Sequence, residues 1–215
     1  MYTSLIEKID GIAREKSDLA VTTICSDPIE MISISNFLSP NECKYLCKKI
    51  KSLNTTNLYV SVYQDDVIKT IALRLASFLD IPVSNMEYMM LAKFVRHTQY
   101  AVVTDSSADI KPTLENETSE FQQWSPSGKR MFSCTIFLND DFEGGFVQYN
   151  DADVYVKPEI GKLVIVNLLN KNNEPVNKDS YNHTSVNKNK FIAHLCVREK
   201  SRFRAKAKEP DEIKL

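Results

Sequence analysis

Two adjacent glycines constrain this chain more than any other feature. Only five glycines occur in 215 residues. A Gly144-Gly145 pair set between two apolar runs therefore marks backbone that needs positive φ or close approach to a neighbour. Before the pair, Met131 to Leu138 is rich in β-branched and aromatic residues and is halted by the turn-formers Asn139-Asp140-Asp141. After it, Phe146 to Tyr149 resumes the extended pattern. The spacing predicts a β-hairpin whose second run begins after the glycine pair.

The flanking sequence supplies helices first and strands afterwards. Leu5, Ile6, Ile9, Ile12 and Ala13 recur at helical spacing, predicting an amphipathic helix over 3–20. Ile29 to Ile34 alternates as a strand. Ser39-Pro40-Asn41-Glu42 combines an N-cap, a proline at the first helical position and a capping-box glutamate. The helix it opens runs through Cys43, Leu46, Cys47 and Ile50. A second begins at Asp65 or Asp66 and continues through Ile68, Ile71, Leu75 and Phe78 until Pro82. Residues 87–105 read as extended. Residues 106–129 turn polar, with Phe121 and the single tryptophan Trp124 near the end, and serve either as a solvated insertion or as a lid over a site. Strands follow at Val154-Tyr155-Val156, Gly161 to Val166 and Lys190 to Val197. The order predicts an α+β domain whose helices buttress a sheet. Its parts are a helical segment at 1–28, the main domain at 29–199 and a charged tail at 200–215.

Charge and cysteines narrow the setting. A net charge of −1 argues neither for nor against nucleic acid, and the basic tail is read as solvated rather than as a nucleic-acid contact. The expected partner is a protein or peptide, with the oligomeric state open. No apolar run reaches the length of a membrane span, and the N-terminus lacks a signal-peptide core. Five cysteines, an odd number without a regular framework, fit reduced thiols and an intracellular setting, cytoplasmic or nuclear. Cys43 and Cys47, one helical turn apart, are read as buried helix thiols.

The stretch Arg130-x-x-x-x-Thr135…Leu138-Asn139-Asp140-x-Phe142-x-Gly144-Gly145 resembles the signature of prolyl 4-hydroxylase-like 2-oxoglutarate/Fe(II) oxygenases. The resemblance covers roughly residues 30–198. It implies a double-stranded β-helix (jelly-roll) core, with the N-terminal helices packed on one sheet. It also implies Fe(II) held by two histidines and a carboxylate, with open positions for 2-oxoglutarate and oxygen. Asp105 falls on the carboxylate position and His183 on the distal histidine. Lys190 falls on the basic residue that pairs with 2-oxoglutarate, although its separation from His183 is shorter than usual. Tyr100, Thr135 and Leu138 fall where the cosubstrate pocket is lined. Two positions depart. Val103 stands where the first iron-binding histidine belongs, and Phe94 lacks the hydroxyl of the first tyrosine. His97, by sliding the local register, and His194, which shares strand parity with Lys190, are the two substitutes for the missing imidazole.

Two classes of function follow. In the leading reading the chain is a catalytically impaired oxygenase-fold module that binds a protein or peptide and has no cofactor. In the other it is an active 2-oxoglutarate-dependent protein (prolyl) hydroxylase with a non-standard iron site, in which Asp105, His183 and Lys190 carry the chemistry.

Overall fold

The structure, a computed structural model, describes residues 4–5, 20–52, 55–98, 103, 105, 127–176 and 179–201. The expected helix over 3–20, the 106–129 insertion and the charged tail lie almost wholly outside these residues, as does Tyr100.

The elements run in the order β1 (Val21–Cys25), β2 (Met31–Ile34), α1 (Pro40–Lys51), β3 (Asn57–Val60), α2 (Asp66–Leu79) and a 3₁₀ turn (Val83–Asn85). Then come β4 (Met89–Phe94), β5 (Arg130–Phe137), β6 (Val147–Tyr149), β7 (Val154–Val156), β8 (Leu163–Asn167), β9 (Tyr181–His183) and β10 (Lys190–Arg198). Helix α1 starts as its sequence dictates. The Ser39 hydroxyl accepts from the Glu42 N–H and the Glu42 carboxylate accepts from the Ser39 N–H, closing the capping box. Such a cap contributes about 1 kcal/mol. In α2, the Asp65 side chain accepts from the Ile68 N–H, and Asp80 ends the helix in the left-handed conformation.

The strands form two antiparallel sheets. One has seven strands in the order β1-β2-β8-β5-β10-β4-β3, the other three in the order β7-β6-β9. Val103 extends the smaller sheet, because its N–H donates to the Tyr181 carbonyl at 2.7 Å and its carbonyl accepts from the Tyr181 N–H at 2.8 Å. Most neighbours in the large sheet are remote in sequence, as a jelly roll requires.

The expected hairpin is corrected here. β5 and β6 lie in different sheets, β5 between β8 and β10 and β6 between β7 and β9. The chain from Leu138 to Phe146 is a crossover. Every residue of β5 from Phe132 to Phe137 is buried, and the strand is paired along both sides, so no edge is free for a three-residue strand. Gly144 and Gly145, both at positive φ, steer the crossover against the β9–β10 connection, where the Gly145 N–H donates to the Ser185 carbonyl.

Side-chain alternation divides the interior into two cores. Phe191, Ala193, Leu195 and Val197 of β10, with Phe132, Cys134 and Ile136 of β5, face α1 and α2 and pack on Leu46, Ile50, Ile71 and Leu75. The helices therefore cover one face of the large sheet. Ile192, Phe137, Val164 and Val166 face the small sheet, meeting Val147, Tyr149, Val156 and Tyr181. Burying each large apolar side chain contributes about 1.5–3 kcal/mol. No helix among the described residues is long and apolar enough to cross a membrane.

Candidate functional site between the two sheets

The inner face of β10 begins as Lys190, continues with Ile192, and then carries His194 and Cys196, all buried. Period-two alternation places this polar series opposite the helix-facing apolar series of the same strand. Beside it, β5 turns Ser133 and Thr135 the same way. From the small sheet come His183 of β9 and, just beyond Val103, Asp105.

Asp105 is the hub. Its Oδ2 accepts from the Ser133 hydroxyl at 2.5 Å, and its Oδ1 lies 3.5 Å from His194 Nε2. Its N–H donates to Asp179 Oδ2, and its carbonyl accepts from Arg130. Burial alone raises the carboxyl pKa, yet the charge and contact of His194, the Ser133 hydroxyl and Arg130 hold it below the ordinary carboxylate range. For His194 burial favours the neutral ring, but Asp105 outweighs burial and raises its pKa well above the usual value. The two shifts agree: the pair is a buried carboxylate–imidazolium ion pair. His194 Nδ1 sits 3.1 Å from the Thr135 hydroxyl, and its Nε2 is also 3.7 Å from Cys196 Sγ.

A second pair lies at the other end of β10's inner face. Lys190 Nζ donates to the Gly145 carbonyl at 2.5 Å and lies 2.8 Å from His183 Nδ1. Burial pushes the Lys190 pKa down to about 7. Burial, the Lys190 charge and the His194 charge together push His183 well below its usual value. The Phe94 ring covers His183 at a centroid separation of 4.1 Å. An ammonium has no lone pair to offer, so with Lys190 charged, His183 Nδ1 accepts and its ring proton stays on Nε2. In that tautomer His183 presents no free lone pair.

Arg130 joins the Asp105 hub to a further network. It donates to both Glu87 carboxylate oxygens, at 2.8 and 2.9 Å, while Arg198 donates to Glu87 Oε1 at 2.6 Å and to the Gly128 carbonyl. Burial raises the Glu87 pKa, and the two guanidinium groups more than reverse it. This pins the start of β5 to the segment before β4 and to the end of β10.

The expected site residues therefore divide. Asp105 meets His194, and Lys190 meets His183, with Thr135 orienting His194. Leu138 belongs to the helix-side core, because Phe137 takes the inter-sheet face and alternation sends its neighbour the other way. His97 is exposed in the turn after β4, at φ 56°. Sequence reasoning missed Ser133, Asp179 and Cys196. Strand parity with His194 was the available signal for Cys196.

Tested against Fe(II), the donor set departs from two histidines and a carboxylate. Val103 has no lone pair, and His183 is engaged by Lys190. Among the described residues, the His, Cys and carboxylate donors that converge within 4.8 Å of one another are Asp105, His194 and Cys196.

No protein-family model matches the sequence, and no curated protein does. Solved structures do match the fold. A collagen prolyl hydroxylase from Paramecium bursaria Chlorella virus-1 superposes with a TM-score of 0.63 at 18% identity, over 78% of this chain and 88% of that one. The same viral enzyme in complex with 2-oxoglutarate gives 0.62 at 19% identity, over 78% and 95%. A prolyl hydroxylase from Trichoplax adhaerens, bound to a hypoxia-inducible-factor peptide, gives 0.54 at 10% identity, over 97% and 98%. With its two antiparallel sheets, helices on one face of the larger, and these superpositions, the chain has the double-stranded β-helix fold of these prolyl hydroxylases.

Proposed function

We propose that the chain is a prolyl 4-hydroxylase-like oxygenase-fold protein that has left 2-oxoglutarate/Fe(II) catalysis and serves as a protein- or peptide-binding module. One observation carries this reading. The position of the first iron-binding imidazole holds Val103, which has no lone pair, and the carboxylate expected to hold iron instead faces His194 at 3.5 Å. Losing a directly coordinating ligand weakens a metal site more than loss of an outer hydrogen-bond partner, which already costs about 10- to 100-fold. A peptide ligand is supported by the T. adhaerens neighbour, which carries one on this fold. Residues 29–199 form the binding unit, with 1–28 and 200–215 as appendages. Five free cysteines support an intracellular setting.

Anaerobic titration with Fe(II) and 2-oxoglutarate tests the reading, following the visible charge-transfer band of the ternary complex. The expected result is no band from folded protein. A saturable band overturns the proposal in favour of an active prolyl or other protein hydroxylase. The retention of Asp105, His183 and Lys190 together is the feature that favours that second reading. In that case Asp105→Ala abolishes the band.

A further inference from the structure

We propose that Asp105, His194 and Cys196 form a thiolate-containing site for a zinc-type divalent metal ion, a donor set different from two histidines and a carboxylate. The three ligand atoms lie within 4.8 Å of one another on buried side chains, 6%, 8% and 3% exposed. Zinc bonds of about 2.1 Å to nitrogen or oxygen and about 2.3 Å to sulfur place tetrahedral ligands about 3.4 Å (N to O) and about 3.6 Å (N to S) apart. The observed separations are 3.5 Å from His194 Nε2 to Asp105 Oδ1 and 3.7 Å from Nε2 to Cys196 Sγ. Two edges of a tetrahedral face are thus already close to their bonded lengths, and the third, between the Asp105 carboxylate and Cys196 Sγ, is within 4.8 Å.

Their surroundings point the same way. Thr135 takes His194 Nδ1, which leaves Nε2 as the nitrogen that turns toward the other two donors. Ser133 holds Oδ2 of Asp105 and leaves Oδ1 facing His194. Such outer hydrogen bonds are how imidazole and carboxylate ligands are aimed at a metal. On binding, the ion takes the place of the proton on Nε2 and of the thiol proton of Cys196, and both protons pass to solvent. A mixed sulfur, nitrogen and oxygen set suits zinc and its spectroscopic stand-in cobalt. The fourth position is left to water or to a donor group on a bound partner. The competing account is an ion pair with an idle thiol beside it, and the two differ in what Cys196 does.

The test uses the whole chain, stripped with chelator and titrated anaerobically with Co(II). Expected is saturation at one equivalent, with a thiolate-to-cobalt charge-transfer band in the near ultraviolet that Zn(II) bleaches. Cys196→Ser should remove the band, whereas Cys43→Ser should keep it. Absence of saturable binding, or a band that survives in Cys196→Ser, overturns the proposal. Should Cys196→Ser fail to fold, X-ray absorption of the zinc-loaded wild type reads the same question directly. A shell without sulfur at about 2.3 Å overturns it. The outcome is separable from the Fe(II) and 2-oxoglutarate titration: a ternary iron band would sink the functional reading above, while the sulfur donor would stand or fall on the cobalt and zinc spectra.

Discussion

At position 103 an isopropyl group stands where the family resemblance calls for an imidazole, and the fold does not register the difference. Val103 still makes both ladder hydrogen bonds to Tyr181, and its side chain is 44% exposed. Val103→His should therefore fold as the wild type does and raise Fe(II) affinity at least about tenfold in an anaerobic titration. No gain would show that His194 keeps Asp105 from iron. The Asp105–His194 pair makes a sharper statement about stability. In metal-free protein, Asp105→Asn or His194→Gln strands a buried charge and should cost about 3–5 kcal/mol by chemical denaturation. The double variant should cost clearly less than the sum, and strict additivity would mean the two groups do not interact. Asp105, His183 and Lys190 could be placed from sequence because each sits inside a spaced motif. The pairing of Asp105 with His194 could not. It depends on the segment just beyond Val103 meeting the inner face of β10, which brings together residues 89 apart in the chain (194 − 105).

Among the elements, the crossover between β5 and β6 shows where local signals mislead. Turn-formers followed by two glycines between apolar runs have the form of a hairpin, yet pairing was decided by which strands could bury both faces of β5. Gly144 carries the consequence. It holds φ at +78°, and a Cβ there would collide with the Ser185 carbonyl. Gly144→Ala should destabilise the fold by more than about 1 kcal/mol, read as a lower denaturation midpoint at unchanged slope. An unchanged midpoint would mean that the crossover is free to move. Helices α1 and α2 were readable because cap, periodicity and exit signal agree within each segment. β3 and β9 were not, since four and three residues hold too little pattern and owe their extended form to neighbours already in the sheet.

For the molecule as a whole, helices followed by strands were evident from periodicity, whereas closure into two sheets rested on the family resemblance, because most of the joins are remote in sequence. One global property follows from Lys190, fully buried and with its pKa lowered to about 7. The unfolded chain binds this proton up to about pH 10.4, the folded chain only to about 7. Between those values the unfolded state holds more protons, so stability rises with pH. Lys190→Met lacks the group, and other titrating residues largely cancel in the comparison. Wild type should therefore gain on Lys190→Met as pH climbs from about 7 to about 10, by at most about 1.4 kcal/mol per unit. A flat difference would mean that Lys190 titrates alike in both states. The alternation along β10 has a further consequence. Odd-numbered residues carry the cohesion with the helices, and the even-numbered ones, Ile192 apart, carry the polar chemistry. Inheritance can act on the two sides of one strand separately, so a lineage can exchange one reactive centre for another while the architecture that houses it passes on intact.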